Sequence, residues 1–193
     1  MEHFYTLQGE GFYTGQAAYF IRLGGCDVGC VWCDVKESWD ASLHPHIEVN
    51  DLVKIASAHP GRIVVITGGE PAIHDLSYLC DALHEAGFKV HIETFGSSPL
   101  RGTFDWITLS PKKFKAPLSE CMQLSHELKI IVYNKSDYKW AEDHAVLVSE
   151  KCKLYLQPEW SKAAEMTPGI ITYIQQHPGW QLSLQTHKYL NIP

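Results

Sequence analysis

Residues 63–94 read IVVITGGEPAIHDLSYLCDALHEAGFKVHIET, a strand, a helix and a second strand in one short run. Ile63–Thr67 is β-branched and of strand length, and so is Lys89–Thr94 (KVHIET); such runs bounded by turn residues read as buried strands. Between them Leu76, Leu79, Cys80 and Leu83 recur at the i, i+3, i+4, i+7 spacing of one helix face. Asp75 is the expected N-cap and Gly87 the stop, giving a helix over Leu76–Ala86. A strand that returns through a helix to a parallel neighbour winds in one hand, so the unit predicts an α/β fold with a parallel sheet.

The same alternation extends in both directions. Ala17–Leu23 (AAYFIRL), Trp106–Ser110 (WITLS), Leu128–Val132 (LKIIV) and Lys153–Gln157 (KLYLQ) are further strands, with Gln181–Gln185 (QLSLQ) as a seventh. Helices are expected over Asp51–His59, capped by Asn50, over Ser136–Val148, and over Pro168–His177, with Thr167 as N-cap and Pro168 at the first position. No repeat, low-complexity tract or linker interrupts the 193 residues, so a single domain over 1–193 is expected. A complete eightfold barrel takes about 250 residues. The chain therefore predicts a partial, open (β/α) barrel with about six parallel strands and fewer, shortened helices.

Composition narrows the function. Apolar residues make up 45% and charged residues 20%, as in an ordinary globular protein. The formal charge of −6 argues against nucleic acid, which normally meets a basic stripe; the substrate should be small. No apolar run reaches the length of a membrane helix. Met1–Tyr5 lacks the basic and apolar regions of a signal peptide, so a cytoplasmic location is expected. Six cysteines in such a chain suit metal ligation or catalysis better than disulfides. Three of them fall within eight residues; Cys80, Cys121 and Cys152 stand alone and read as core packing.

Polar or glycine-rich clusters follow almost every strand. They are Gly24-Gly25-Cys26, Thr67-Gly68-Gly69-Glu70-Pro71, Glu93-Thr94, Ser110-Pro111-Lys112, Gln157-Pro158-Glu159 and Gln185-Thr186-His187-Lys188. In a parallel barrel the C-terminal strand ends share one face, the usual active-site face.

Cys26, Cys30 and Cys33 have the spacing C-x3-C-x2-C. Three thiolates on one loop can hold three irons of a cubane cluster and leave the fourth iron open, and an open position is how a metal site binds a substrate or cofactor. A zinc site is the alternative, with Asp34 or His44 as its fourth ligand.

The cysteine spacing resembles the signature of the radical S-adenosylmethionine superfamily, and supporting motifs follow in order. In that superfamily the open iron of a [4Fe–4S] cluster chelates the amine and carboxylate of S-adenosylmethionine, and an electron from the cluster releases a 5′-deoxyadenosyl radical. Thr67-Gly68-Gly69-Glu70-Pro71 resembles its cofactor-amine motif; two glycines let backbone approach an ammonium group and Glu70 supplies charge. By the same resemblance Glu93 serves the ribose hydroxyls, and Ser110-Pro111-Lys112 and Gln157-Pro158-Glu159 serve the carboxylate and adenine. Trp32 flanks the adenine, and Cys33 and Asp34 complete the cofactor contacts.

Over essentially the whole chain the sequence resembles the 7-carboxy-7-deazaguanine synthase family. Tyr5-Thr6-Leu7-Gln8-Gly9-Glu10-Gly11, Tyr19–Leu23 running into Cys26, and Leu184–Leu190 carry that likeness. It implies a homodimer that converts 6-carboxy-5,6,7,8-tetrahydropterin to 7-carboxy-7-deazaguanine with loss of ammonia, a lyase step toward queuosine and other deazapurines. It also implies a flavodoxin- or ferredoxin-type reductant, and substrate contacts at Leu7, Gln8, Gly9, Glu10, Arg22, Thr67, His187 and Pro193. A pterin edge needs donors and acceptors, which Gln8 and Glu10 offer, and its carboxylate needs a cation, for which Arg22 is the natural partner unless a protein carboxylate takes it. The apolar tail residues Tyr189, Leu190 and Ile192 are expected to fold over the active-site mouth and bring the Pro193 carboxylate to the substrate.

One position departs from the family pattern. A Thr or Ser hydroxyl that ligates Mg2+ is common two residues after the third cysteine, and Val35 stands there. Mg2+ prefers six oxygens, so either backbone, water, substrate and Asp34 hold it or it matters less here. Two other functions compete: a glycyl-radical activase, which would need a protein-docking surface, and an iron–sulfur electron-transfer protein, which would leave Gly68-Gly69-Glu70 without a role.

Overall fold

A computed structural model describes residues 1–30, 33 and 35–193. Eight strands form a single sheet in sequence order: β1 Glu2–Leu7, β2 Ala17–Leu23, β3 Ile63–Gly68, β4 Lys89–Thr94, β5 Trp106–Leu109, β6 Glu127–Val132, β7 Lys153–Pro158 and β8 Trp180–Leu182. β1 pairs antiparallel with β2, and β2 to β8 are parallel throughout. No ladder joins β8 to β1 among the described residues, so the barrel is partial and open. Seven parallel strands replace the expected six or so, and β1 is an addition; its EHFYTL run is half-exposed at the edge of the sheet and lacks a buried strand's apolar signature.

The helices are α1 Val49–Ser57, α2 Ser77–Glu85, α3 Ser119–Leu124, α4 Asp137–Ala145, α5 Ala163–Gln176 and α6 Thr186–Leu190. α1 starts two residues earlier than expected, with Glu48 rather than Asn50 at its N-cap position. Asp75 accepts from the Ser77 amide at 3.0 Å, but it is Leu76 that holds the N-cap position of α2. The largest correction is α5, which begins at Ala163 and carries Pro168 inside it. Met166 and Ile170, one turn apart, bury the same face across the proline, and burying that face outweighs the missing amide.

Strand alternation sorts the side chains. Tyr19, Ile21, Val64, Ile66, Val90 and Ile92 pack outward against Leu52 and Ala56 of α1 and Leu79, Cys80 and Leu83 of α2. Leu128, Ile130, Val132 and Leu156 pack outward with Ala141 of α4 and Met166 and Ile170 of α5. The intervening positions turn to the lumen and carry the polar residues Arg22, Thr67, His91, Glu93, Thr108, Glu127, Lys129 and Gln157 together with an apolar cluster of Ala18, Phe20, Ile63 and Val65.

The open side is closed by the β1–β2 loop. The Gly9 carbonyl accepts from the Thr186 amide and hydroxyl, both at 2.9 Å, and the Gly11 amide donates to Ser183 Oγ at 3.0 Å. A Cβ on Gly9 would lie 2.2 Å from His187 Nδ1, and one on Gly11, whose φ is +65°, 2.1 Å from Glu127 Oε1. Only glycine permits that approach.

Candidate active site

The lumen holds a cavity of about 330 Å³. Cys26, Cys30 and Cys33 line it together with Gly68 and Gly69. Glu93, Ser110, Lys112, Gln157, Pro158 and Glu159 add the later strand ends. Leu7, Gln8, Gly9, Glu10, Arg22, Thr67, His187 and Pro193 face the same space. Trp32 and Asp34 lie outside the described residues.

The cysteine loop is pinned from three sides. The Gly25 amide donates to Ser38 O at 2.6 Å, the Cys26 amide to Trp39 O at 3.2 Å, and the Glu70 amide to Gly25 O at 2.8 Å. The two motif glycines serve this packing. A Cβ on Gly68, at φ +124°, would meet Leu23 O at 2.2 Å, and one on Gly69 would meet Gly25 O at 2.2 Å. They let the end of β3 lie directly on the start of the cysteine loop. Within that loop the Cys33 amide donates to Cys30 O at 3.0 Å. Burial pushes the Cys30 thiol up, while the Lys112 ammonium pulls the other way. Cys80, Cys121 and Cys152 are buried in the cores, and burial raises all three, Cys80 and Cys121 to about 11.

Glu70 is a correction. It was expected to present charge to a cofactor amine, but it does not line the cavity. Its carboxylate is 1% exposed and accepts from the Ala72 amide at 2.8 Å, Thr94 Oγ1 at 2.6 Å and the Phe95 amide at 2.9 Å. Three internal donors hold it as a brace between the ends of β3 and β4. Pro111 likewise stays out of the lining. Arg22 faces the cavity, yet its guanidinium is 2.8 Å from Glu2 Oε1 and lies over the Phe4 ring. His44 bonds the Glu37 carbonyl through Nε2, at 2.7 Å.

The polar end carries residues that the sequence reading did not single out. Lys129, on β6, pairs with Glu10 and lies 3.3 Å from Glu93 Oε2. Gln8 Nε2 donates to Glu93 Oε1 at 2.9 Å, and Gln185 Nε2 donates to Glu10 Oε1 at 3.0 Å. Burial alone would raise Glu10, but the Lys129 ammonium and its hydrogen bonds outweigh it and hold Glu10 down at about 2. Burial opposes the charge of Lys129 too, and Glu10, Glu93 and Glu127 override it, so Lys129 stays cationic. A second, smaller cavity of about 10 Å³ adjoins Gln8, Glu10 and Glu93 and is floored by His91, Trp106 and Glu127. Burial raises Glu127 to about 7 and lowers His91 to about 4.

Among the described residues no three His, Cys, Asp or Glu side chains converge as the ligands of one ion do. A cubane asks for something else, one thiolate for each of three irons. Three free thiols on one pinned loop, facing a cavity, fit that demand.

Comparison with known proteins matches residues 20–115 to the radical SAM superfamily, a membership that implies a [4Fe–4S] cluster and S-adenosylmethionine. The chain is 54% identical over its full length to the 7-carboxy-7-deazaguanine synthase of Flavobacterium psychrophilum, covering 91% of that protein. It is 38% identical, over 99% of its length, to the enzyme of the same name from Escherichia coli K12, covering 97% of it. The crystal structure of QueE from Escherichia coli superposes with a TM-score of 0.83 at 34% identity, over 96% of this chain and 92% of that one. The chain belongs to the 7-carboxy-7-deazaguanine synthase family.

Proposed function

We propose that this chain converts 6-carboxy-5,6,7,8-tetrahydropterin to 7-carboxy-7-deazaguanine and ammonia in the route to queuosine or another deazapurine. The observation that carries the reading is one cavity that gathers the three thiols of a cluster loop with a hydrogen-bonded Gln8–Glu10–Gln185 group, Gln8 buried and the other two half-buried. When bound, the cluster supplies the electron that cleaves S-adenosylmethionine. The chain's residues bind, orient and exclude water. Gly68 and Gly69 set the cysteine loop against β3, and Glu93, Ser110, Lys112, Gln157, Pro158 and Glu159 surround the cofactor. Gln8 and Glu10 read the aminopyrimidinone edge: an ionised Glu10 accepts two N–H bonds, each contributing about 1.5–3 kcal/mol. Leu7, Gly9, Thr67, His187 and Pro193 complete that pocket, and Arg22, shared with Glu2, faces the substrate carboxylate.

Mg2+ is the less secure cofactor. Val35 lines the cavity with no side-chain oxygen, so stimulation by Mg2+ in chelator-treated enzyme should be weaker than in hydroxyl-bearing relatives and should increase in Val35→Thr. A strong dependence unchanged by that substitution would place the ion on other ligands. The reading also includes a homodimer, a cytoplasmic location and a flavodoxin- or ferredoxin-type donor; no described helix is long and apolar enough to cross a membrane.

The test is an anaerobic incubation of reduced, reconstituted protein with the carboxytetrahydropterin and S-adenosylmethionine. Product and ammonia in equal amounts support the assignment. Absence of product, with a glycyl radical raised on a partner protein instead, would give the activase reading its place.

A further inference from the structure

Lys129 stands in the strand ELKIIV, apolar except for it and Glu127, with its side chain only 4% exposed. A buried ammonium is tolerated when carboxylates meet it. Here they come from distant parts of the chain. Nζ donates to Glu10, from the β1–β2 loop, and lies 3.3 Å from Glu93 Oε2, at the end of β4. Gln8 closes the group, donating to Glu93 Oε1 and accepting from the Glu10 amide at 3.1 Å. β1–β2 loop, β4 and β6 therefore meet on one cation.

The charge balance shows what that cation does. Glu10, Glu93 and Glu127 all act on Lys129. Without it the half-buried Glu10 and Glu93 carboxylates lose the ammonium they share, although Lys112 still acts on Glu10, and like charge beside like charge favours a proton on Glu10. A protonated Glu10 would lose part of its acceptor capacity. With Lys129 present Glu10 is held well below the usual carboxylate range, and Nζ fixes where its oxygens point.

We propose that Lys129 is a positioning residue that ties the pterin subsite, through Glu10, to the S-adenosylmethionine subsite, through Glu93. The inference rests on the roles given to Glu10 and Glu93 under the proposed function.

The experiment compares reconstituted wild-type, Lys129→Met and Lys129→Arg holoenzymes. In Lys129→Met the KM for the carboxytetrahydropterin should rise about ten-fold or more, and it should rise further as pH falls from 8 to 6, while the wild-type KM shows no such added limb. More 5′-deoxyadenosine should form per product, and Lys129→Arg should recover most of the binding. The affinity for S-adenosylmethionine, measured by calorimetry without turnover, should weaken in Lys129→Met. That arm separates the two claims: a wild type that makes no product counts against the proposed function, whereas unchanged cofactor affinity in Lys129→Met overturns the coupling. A fall in kcat at unchanged KM and pH profile would also overturn it, leaving Lys129 a structural ion pair. If Lys129→Met does not fold, Lys129→Gln, which keeps a hydrogen-bond donor without the charge, replaces it under the same readouts, and an unchanged pterin KM in that variant would refute the proposal.

Discussion

Glu127 and His91 face the small cavity at the floor of the lumen and pull stability in opposite directions with pH. Burial raises Glu127 to about 7, so the folded protein holds a proton that the unfolded chain loses; this contribution is full below the ordinary carboxylate pKa and disappears as pH rises through about 7. Burial lowers His91 to about 4, so its contribution is full above the ordinary imidazole pKa and is lost as pH falls toward 4. Between about pH 4.5 and 6.5 the two offset each other. Glu127→Gln should expose the His91 limb, with stability climbing by on the order of 2 kcal/mol from pH 5 to 7 where the wild type is nearly flat. Denaturant melts across that range test it, and parallel profiles for the two proteins would contradict it.

At the same scale Cys26→Ala, Cys30→Ala and Cys33→Ala should each abolish the cluster chromophore and turnover, because the other thiols are buried in the cores, away from the loop. Absorbance after anaerobic reconstitution reads this directly, and full activity in any one of the three would remove that residue from the ligand set. The cysteine spacing was fully legible because it is local. Lys129, Glu127 and His91 were not singled out, although each left a signal: a polar residue at alternate positions of an apolar strand points it at the lumen. Reading LKIIV and KVHIET only as buried strands hid that second period. Glu70 misled for a related reason. A carboxylate beside two glycines suits an ammonium, but the amides of Ala72 and Phe95 and the hydroxyl of Thr94 occupy it, the last two from 25 and 24 residues away in the sequence.

Among elements, the β1–β2 loop does the work that a ninth strand would do in a wider sheet. It reaches from the β1 edge to the segment after β8, and Gly9 and Gly11 allow the contact. Gly11→Ala puts a methyl against the Glu127 carboxylate at a positive φ. It should cost about 1–3 kcal/mol and loosen Glu10. Thermal melts check the stability, and the KM for the pterin checks the site; a variant as stable as wild type with unchanged KM would show that the closure is dispensable. Helix positions were legible to within a few residues where apolar spacing and a cap agreed, as at α2. α5 was misplaced because Pro168 reads as a first-turn residue, whereas burial of Met166 and Ile170 carries the helix through it. α3 and α6, of six and five residues, are too short for periodicity to register.

The two larger apolar cores lie outside the sheet, under the helices, while the lumen carries the polar groups beside a small apolar cluster of Phe4, Ala18, Phe20, Ile63 and Val65, so most of the stability and the chemistry reside on opposite faces of the same strands. Leu83→Ala, in the helix-side core, should therefore cost about 2–5 kcal/mol while leaving the KM for the pterin unchanged. Chemical denaturation with matched kinetics at low temperature checks both halves of that statement. The parallel sheet, its open form and the shared face of strand ends were legible from βα alternation, since right-handed crossovers leave little choice. The side on which the barrel closes was not, because it depends on contacts between residues about 175 positions apart.

The central claim is the proposed radical ring contraction in this cavity; the family resemblance implies that the adenosyl radical recovers its hydrogen at the end, so that S-adenosylmethionine is regenerated. The most direct measurement is product formed per molecule of S-adenosylmethionine when the cofactor is limiting and the carboxytetrahydropterin and a one-electron donor are in excess. The account predicts many molecules of 7-carboxy-7-deazaguanine for each cofactor supplied, with ammonia in step and little 5′-deoxyadenosine. One product or fewer per cofactor, with 5′-deoxyadenosine accumulating in step with its loss, would contradict it.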